Sequence, residues 1–399
     1  MDKKYILVTG GELRNKGAQA MSFITADEMA KRYPECEVIL FSSGDYKRPD
    51  EEKNNYKFRI LPFPGFGESI SLCTGLLRGK YLKRENGKAF AEYGDIFKNA
   101  VVFLDISGFA LGSKWTYGRN ISYMRRIRLA KHFNIPVYLM PQSFGPFEYE
   151  GKNAKKIHRT LRKYLPTAKL IMARENEGKK LLKDIYHLEN VIKTPDLVLQ
   201  NRAIDLNNVF HNPPPKKDIM ISEHSVAIIP NSKNNVFGNV DKVIELYRKI
   251  ADKLLAKDYS IYLIYHALED LKICNRIKEL FSDCEKVKVV VEELSCIDFD
   301  EIVGEFDFII GSRYHSIVHA YRRAVPAVVL GWAVKYQELT DCLGQKQYCF
   351  SVTDENSYES ILDKIEQMCD KRCEESQRIA TGVSQIQKES VYDLIDIKP

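Results

Sequence analysis

Short β-prone runs alternate with helix-like segments along almost the whole chain, and this alternation limits what it can fold into more than any other feature. "YILVTG" (5–10) precedes "KGAQAMSFITADEMAKRY" (16–33), and "EVILFS" (37–42) follows. "AVVFLDISG" (100–108) comes before a helical stretch near 119–133. Then come "PVYLMPQS" (136–143), a helical 151–166, "LIMARE" (170–175) and a helix over 176–186. Apolar runs this short, bounded by turn residues, read as buried strands. Their repetition with helices between predicts an α/β fold, a parallel sheet with helices on both faces. Residues 45–98 fit the pattern poorly. They hold "FPGFG" and the basic "RGKYLKRENGK", and read as an insertion with some helix.

The prolines of "HNPPPKKD" (211–218) resist regular structure and place a link near 201–217. A second series starts beyond it: "SVAIIP" (225–230), a helix at 239–257, "SIYLIYH" (260–266), a helix at 268–281 and "KVVVE" (288–292). It continues with a helix near 298–304, "DFIIGS" (307–312), a helix at 315–323 and "PAVVLGW" (326–332). The 399 residues are thus expected to form two Rossmann-like domains in tandem, 1–205 and 206–353, with a helical tail at 354–399. Two such domains facing each other across a cleft make a GT-B-like architecture, and ligands of open α/β sheets sit at the carboxyl ends of the strands.

A net charge of +6 hides a split. Residues 1–200 hold 35 lysines and arginines against 22 acids, or +13; the rest hold 25 against 32, or −7. The basic half includes "RRIRLAKH" (125–132) and "KKIHRTLRK" (155–163). Such a half attracts an acidic substrate or a phospholipid surface, unless its charges are simply solvated helix faces. No nucleic-acid module signature accompanies it, so a nucleic-acid partner is not expected. No apolar run approaches the ~18 residues of a membrane span, and "MDKKYILVTG" reads as a first strand rather than a signal peptide. Nine cysteines without a CxxC suit reduced thiols and a cytoplasmic setting. No metal is expected: His315 and His319 share a helix face but lack HExxH and an acidic third ligand.

The residues able to do chemistry gather where strand-like runs end. In "TGGELRNKGAQAM" (9–21) two glycines leave the first strand and Asn15 caps the next helix, whose amino end favours an anion. "LDISGFALG" (104–112) brings Asp105, Ser107 and Gly108 to a second turn. "MPQSFGPF" (140–147) presents Gln142 and Ser143 between two prolines. Arg174 of "ARE" offers a bidentate fork for a carboxylate or phosphate. Asp196 of "TPDLVL" orients a base or an arginine, or caps a turn. In the second series "IIPNSKNN" (228–235) supplies Asn231, Ser232 and Lys233 as donors, and His266 ends the following run. "GSRYHSIVHA" (311–320) sets Arg313 and His315 at a strand-to-helix turn, a fixed positive fork beside a group titrating near neutrality. At each position a plain structural role, as turn, cap or salt bridge, competes with the functional one.

"NKGAQAM", "DISGFALG", "MPQSFGPF", "ARE", "PDLVL" and "GSRYHSIVHA" occur in the order seen in the bacterial polysaccharide pyruvyltransferase family, which the chain resembles from about residue 5 to 350. The resemblance implies a GT-B-like fold and transfer of pyruvate from phosphoenolpyruvate to one or two sugar hydroxyls, leaving a ketal. It assigns Arg174, Arg313 and His315, with Tyr314 between the last two, to phosphoenolpyruvate. His315 is then the expected acid or base, and Arg174 and Arg313 are expected to converge on one anion. Asn15, Gln142, Ser143, Asn231, Ser232, Lys233 and His266 are the further expected substrate contacts. No cofactor is required. The acceptor is expected to be a polysaccharide or its lipid- or nucleotide-linked precursor, met at the inner face of a membrane. A nucleotide-sugar glycosyltransferase and a non-catalytic glycan- or anion-binding protein are the alternatives on the same scaffold.

Overall fold

The apolar runs pair into two separate parallel sheets. The computed structural model describes residues 3–74, 86–232, 240–331, 333–352 and 354–397. The first sheet holds β1 (Lys4–Thr9), β2 (Cys36–Phe41), β3 (Arg59–Leu61), β4 (Ala100–Asp105), β5 (Phe109–Leu111), β6 (Val137–Phe144), β7 (Leu170–Ala173) and β8 (Val191–Lys193). Its order is β3-β2-β1-β4-β6-β7-β8, with β5 paired to β6. The second holds β9 (Ser225–Ile229), β10 (Ser260–Ile264), β11 (Val287–Val290), β12 (Phe308–Gly311), β13 (Ala327–Gly331) and β14 (Cys349–Ser351), in the order β11-β10-β9-β12-β13-β14. The central strands are buried on both faces, which is why they read as continuous apolar runs rather than as alternation.

Each sheet reverses direction once. In the first, β1 and β4 are neighbours with Thr9 opposite Asp105; in the second, β9 and β12 are neighbours with Ile229 opposite Gly311. Crevices open at the carboxyl ends of such pairs. The turns after β1, β4 and β12 therefore occupy the places where an α/β sheet binds its ligand.

The segment 45–98 is more than an insertion with some helix. Its "RIL" is β3, which extends the first sheet from β2, with Ile39 opposite Arg59 and Phe41 opposite Leu61. Three residues are too few to show a period, so the strand escapes a sequence reading. Most of "RGKYLKRENGK" lies outside the described residues.

One apolar cluster crosses from lobe to lobe. It joins Ile6, Val8 and Phe23 of the first to Ile229, Phe299 and Ile317 of the second. The helix Lys16–Arg32 contributes to it and packs against the helices Leu206–Val209 and Cys296–Val303. The last long helix, Tyr358–Ile386, buries Ile361, Ile365 and Met368 on the second lobe. The chain then returns to the first lobe, where the Tyr392 hydroxyl meets Thr25 Oγ1 at 2.7 Å. Among the described residues no helix is long and apolar enough to cross a membrane.

Candidate active site

The turn after β1 depends on Gly10, at φ 88°; a Cβ there would lie 2.5 Å from the Ser107 amide nitrogen. That close approach lets the turns after β1 and β4 meet. Asn15 caps the Lys16–Arg32 helix by accepting from the Ala18 amide at 3.2 Å. Asp105, at the end of β4, is buried within a polar network. It accepts from Thr9 Oγ1 (2.7 Å), the Ser107 amide (3.2 Å), Gln142 Nε2 (3.2 Å) and the Tyr123 hydroxyl (3.3 Å).

Arg174 follows β7 and is buried. Its guanidinium donates to Asp196 at 2.5 Å, to the Gly108 carbonyl at 2.7 Å and to Ser143 Oγ at 2.8 Å. Its face lies over the Tyr314 ring, 4.5 Å from the centroid. Asp196 is held below the ordinary carboxylate range by the Arg174 charge, against the opposing effect of burial. His315 Nε2 stands 3.7 Å from the same carboxylate. Burial pushes the His315 pKa from 6.5 down to about 3, so its ring is neutral near pH 7.

These groups border a cavity of about 600 Å³ at the carboxyl ends of the first sheet, walled on the other side by the second lobe. Asn15, Arg174, Tyr314 and His315 line it, with Ser107 and Gly108. So do Arg119, Arg126 and Lys335, which a reading of the sequence missed. Lys335 sits 5.0 Å from the Tyr314 ring centroid and Arg119 4.2 Å from that of Trp115. Arg119, Ser122, Tyr123 and Arg126 all face the cavity from the helix Tyr117–His132. Their spacing of i, i+3, i+4, i+7 is one helical face, and a polar stripe of that period was the available signal. Glu12 is the carboxylate in the wall, accepting from the Ser43 amide and Oγ at 2.9 and 2.7 Å. The amino ends of the helices Lys16–Arg32 and Tyr314–Arg322 also reach this space through Asn15 and Ala18 and through Tyr314 and His315. Four cationic side chains line the cavity, Arg174 bonded to Asp196 and Arg126 3.5 Å from Asp105, and with the two helix amino ends they suit an anion.

The other residues named from the sequence lie elsewhere. Arg313 does not line the cavity that Arg174 lines. Its Nε and Nη2 bond Asp270 at 2.8 and 2.6 Å and Nη2 bonds Glu269 at 3.0 Å, so its charge is met within the second lobe. Ser232 belongs to that cluster, its amide donating to Asp270 at 2.8 Å. Asn231 donates to the Ser312 carbonyl at 3.0 Å and braces the turn that carries His315. Gln142 and Ser143 face inward beneath the cavity, bonding Asp105 and Arg174 rather than lining it, because β6 is buried along its whole length. His266 is buried with its ring edge on Phe299, both nitrogens without partners among the described residues and its pKa pushed well below 6.5 by burial. Its carbonyl accepts from Lys16 of the first lobe at 3.0 Å. Lys233 lies outside the described residues.

Two parallel α/β lobes with a basic cleft at their strand ends make a fold of the GT-B type. The fold is shared with a glycosyltransferase from Rickettsia africae ESF-5, at TM-score 0.56 and 12% identity over 98% of this chain and 96% of that one. It is shared equally with S. aureus MnaA solved with UDP, at TM-score 0.53 and 14% identity over 99% of each chain. A Thermobaculum terrenum O-GlcNAc transferase mutant matches 96% of this chain at TM-score 0.49 and 14% identity, and this chain spans 64% of that one. No curated protein matches the sequence significantly. Residues 15–333 match the polysaccharide pyruvyl transferase family, and the chain belongs to it. The protein is therefore a transferase of polysaccharide biosynthesis.

Proposed function

We propose that the protein transfers pyruvate from phosphoenolpyruvate to a sugar of a polysaccharide, or of its lipid- or nucleotide-linked precursor, as a ketal. The observation that carries this reading is the convergence of Arg119, Arg126, Arg174 and Lys335 with His315 in one cavity. Phosphoenolpyruvate carries a carboxylate and a phosphate on three carbons, and such a cavity neutralises both. In the transfer the methylene carbon gains a proton and two sugar oxygens bond to the adjacent carbon. The bond from that carbon to the phosphate oxygen breaks. Of the two hydroxyl protons released, one balances the new methyl group and the other leaves with phosphate.

His315 supplies the proton to carbon in this scheme. Its ring is neutral in the free protein, and a bound dianion raises its pKa, which favours uptake of a proton as the donor arrives. Glu12 takes the acceptor proton. The departing phosphate is stabilised by the same cations that bound the donor. The net positive first half supports a lipid-linked acceptor at the inner face of a membrane. Co-sedimentation with anionic liposomes at low salt tests that part alone.

The deciding assay incubates the protein with a mixed glycan pool and either phosphoenolpyruvate or nucleotide sugars. Phosphate release with the first donor supports the proposal. Nucleotide release with the second, and none of phosphate, makes it a glycosyltransferase. Anion binding without turnover of either makes it a binding protein.

A further inference from the structure

A second cavity, about 610 Å³ in volume, plays no part in this chemistry. Phe23, Tyr56 and Phe210 form its floor, with ring centroids of Phe23–Phe210 and Tyr56–Phe210 5.2 and 5.1 Å apart. Gln19, Glu51 and Asn54 stand on its rim. Gln19 Oε1 accepts from the Cys296 amide at 2.7 Å, which leaves its Nε2 for another partner. Tyr56 is 9% exposed, and its hydroxyl makes no hydrogen bond among the described residues, yet it is not among the buried unpartnered atoms. The oxygen therefore opens onto the cavity that Tyr56 lines, where it can donate to or accept from a ligand.

The lining has no lysine, arginine or histidine, so it offers nothing to a phosphate or carboxylate. Aromatic rings below and amide, hydroxyl and carboxylate groups around them instead match a sugar ring, with its C–H face and fixed hydroxyls. The place of the cavity matters too. Ala18 lines the cationic cavity and Gln19, the next residue of the same helix, lines this one; Ser43 borders the first and Glu51 the second. An α-helix is about 10–12 Å across with its side chains, so the two spaces flank a single helix width.

We propose that this cavity is an acceptor subsite that holds a neutral or amino sugar next to the unit receiving pyruvate. The proposal rests on the pyruvyl-transfer reading for its place in the reaction, and on the cavity alone for its ligand. It carries a consequence for pattern. A unit already bearing a pyruvate ketal brings a carboxylate toward Glu51 and Glu52, so the neighbouring unit is accepted only unmodified.

The test uses the full chain without donor. Saturation-transfer NMR is run with lactose, cellobiose and chitobiose on the wild type, Tyr56→Phe and Asn54→Ala. The thermal shift given by phosphoenolpyruvate is recorded on the same samples. At least one disaccharide should bind the wild type, and each variant should weaken it by about three- to tenfold, one hydrogen bond's worth. The phosphoenolpyruvate shift should be the same in all three. A shift with phosphoenolpyruvate but no disaccharide binding overturns the subsite and leaves the donor reading standing. Disaccharide binding that depends on Tyr56, without any phosphoenolpyruvate shift, supports the sugar site and removes the donor reading. Equal disaccharide binding by wild type and both variants also overturns the subsite.

Discussion

A Cβ at residue 17 would fall 2.7 Å from Cε1 of His315, and closer still to its Cγ and Nδ1. The imidazole of the second lobe thus packs against bare backbone of the first, in space that only glycine leaves open. This contact fixes where the ring stands relative to Arg174 and the helix amino end.

Gly17→Ala should therefore run against helix propensity, by which alanine normally gains about 1 kcal/mol over glycine. The variant is expected to unfold at lower urea concentration and to lose most of its kcat, because His315 must move. Adding His315→Ala should return the stability lost to Gly17→Ala, a non-additivity that a double-mutant cycle reads directly. Additive effects would mean that the two residues do not press on each other.

Asp196→Ala should cost about 3–5 kcal/mol of unfolding free energy, measured by urea titration, since it strands the buried Arg174 charge. Arg174→Lys should not behave as a mild change. A lysine cannot keep the Asp196, Gly108 and Ser143 bonds while lying over Tyr314. The fluorescence-detected melting temperature of Arg174→Lys should fall nearly as far as that of Arg174→Ala.

Acidification should weaken the fold through His315. Its folded pKa, about 3, lies below the unfolded 6.5, so between these values the unfolded chain binds more protons. The stabilising contribution is full above about pH 6.5 and is lost as pH falls toward 3. Unfolding free energy plotted against pH from 7 to 4 should drop, and His315→Asn should reduce that slope. Calorimetry of phosphoenolpyruvate binding in two buffers of different ionisation enthalpy should show proton uptake in the wild type, diminished in His315→Asn.

Arg119→Ala and Lys335→Met should raise KM for phosphoenolpyruvate by roughly ten- to hundredfold, the worth of one charged contact. Added salt should raise the wild-type KM as well, and less so in the variants, because part of the attraction is screened. Steady-state phosphate release at two ionic strengths gives both comparisons. An unchanged KM in both variants would remove these cations from the donor site.

The strands and their order of appearance were legible because a buried parallel strand must be apolar throughout and short, and both traits are local. The motifs at strand ends were legible for a related reason: a turn needing glycine, a cap or a proline leaves that residue in the sequence. Arg174, Asn15 and His315 were found in this way and Tyr314 through the family resemblance, and the structure brings all four to one cavity. What local patterns cannot carry is the direction in which a side chain turns once its element is placed. Arg313 and Arg174 both follow strands and both meet carboxylates, Asp270 and Glu269 for one and Asp196 for the other, yet only Arg174 also reaches the cavity wall. "RRIRLAKH" leaves open an anion-facing or a solvated basic face, and only the fold shows Arg126 lining the cavity that Arg119 also lines. Gln142 sits beneath the cavity, where its amide is held by Asp105 and the Tyr123 hydroxyl. By itself the sequence determined the α/β class, the two series and the turns that hold the chemistry. Only the tertiary structure decided which cations face the first cavity and where a second, without cations in its lining, opens beside it. Both depend on contacts between residues hundreds of positions apart, such as Gly17 with His315, and no local pattern records those.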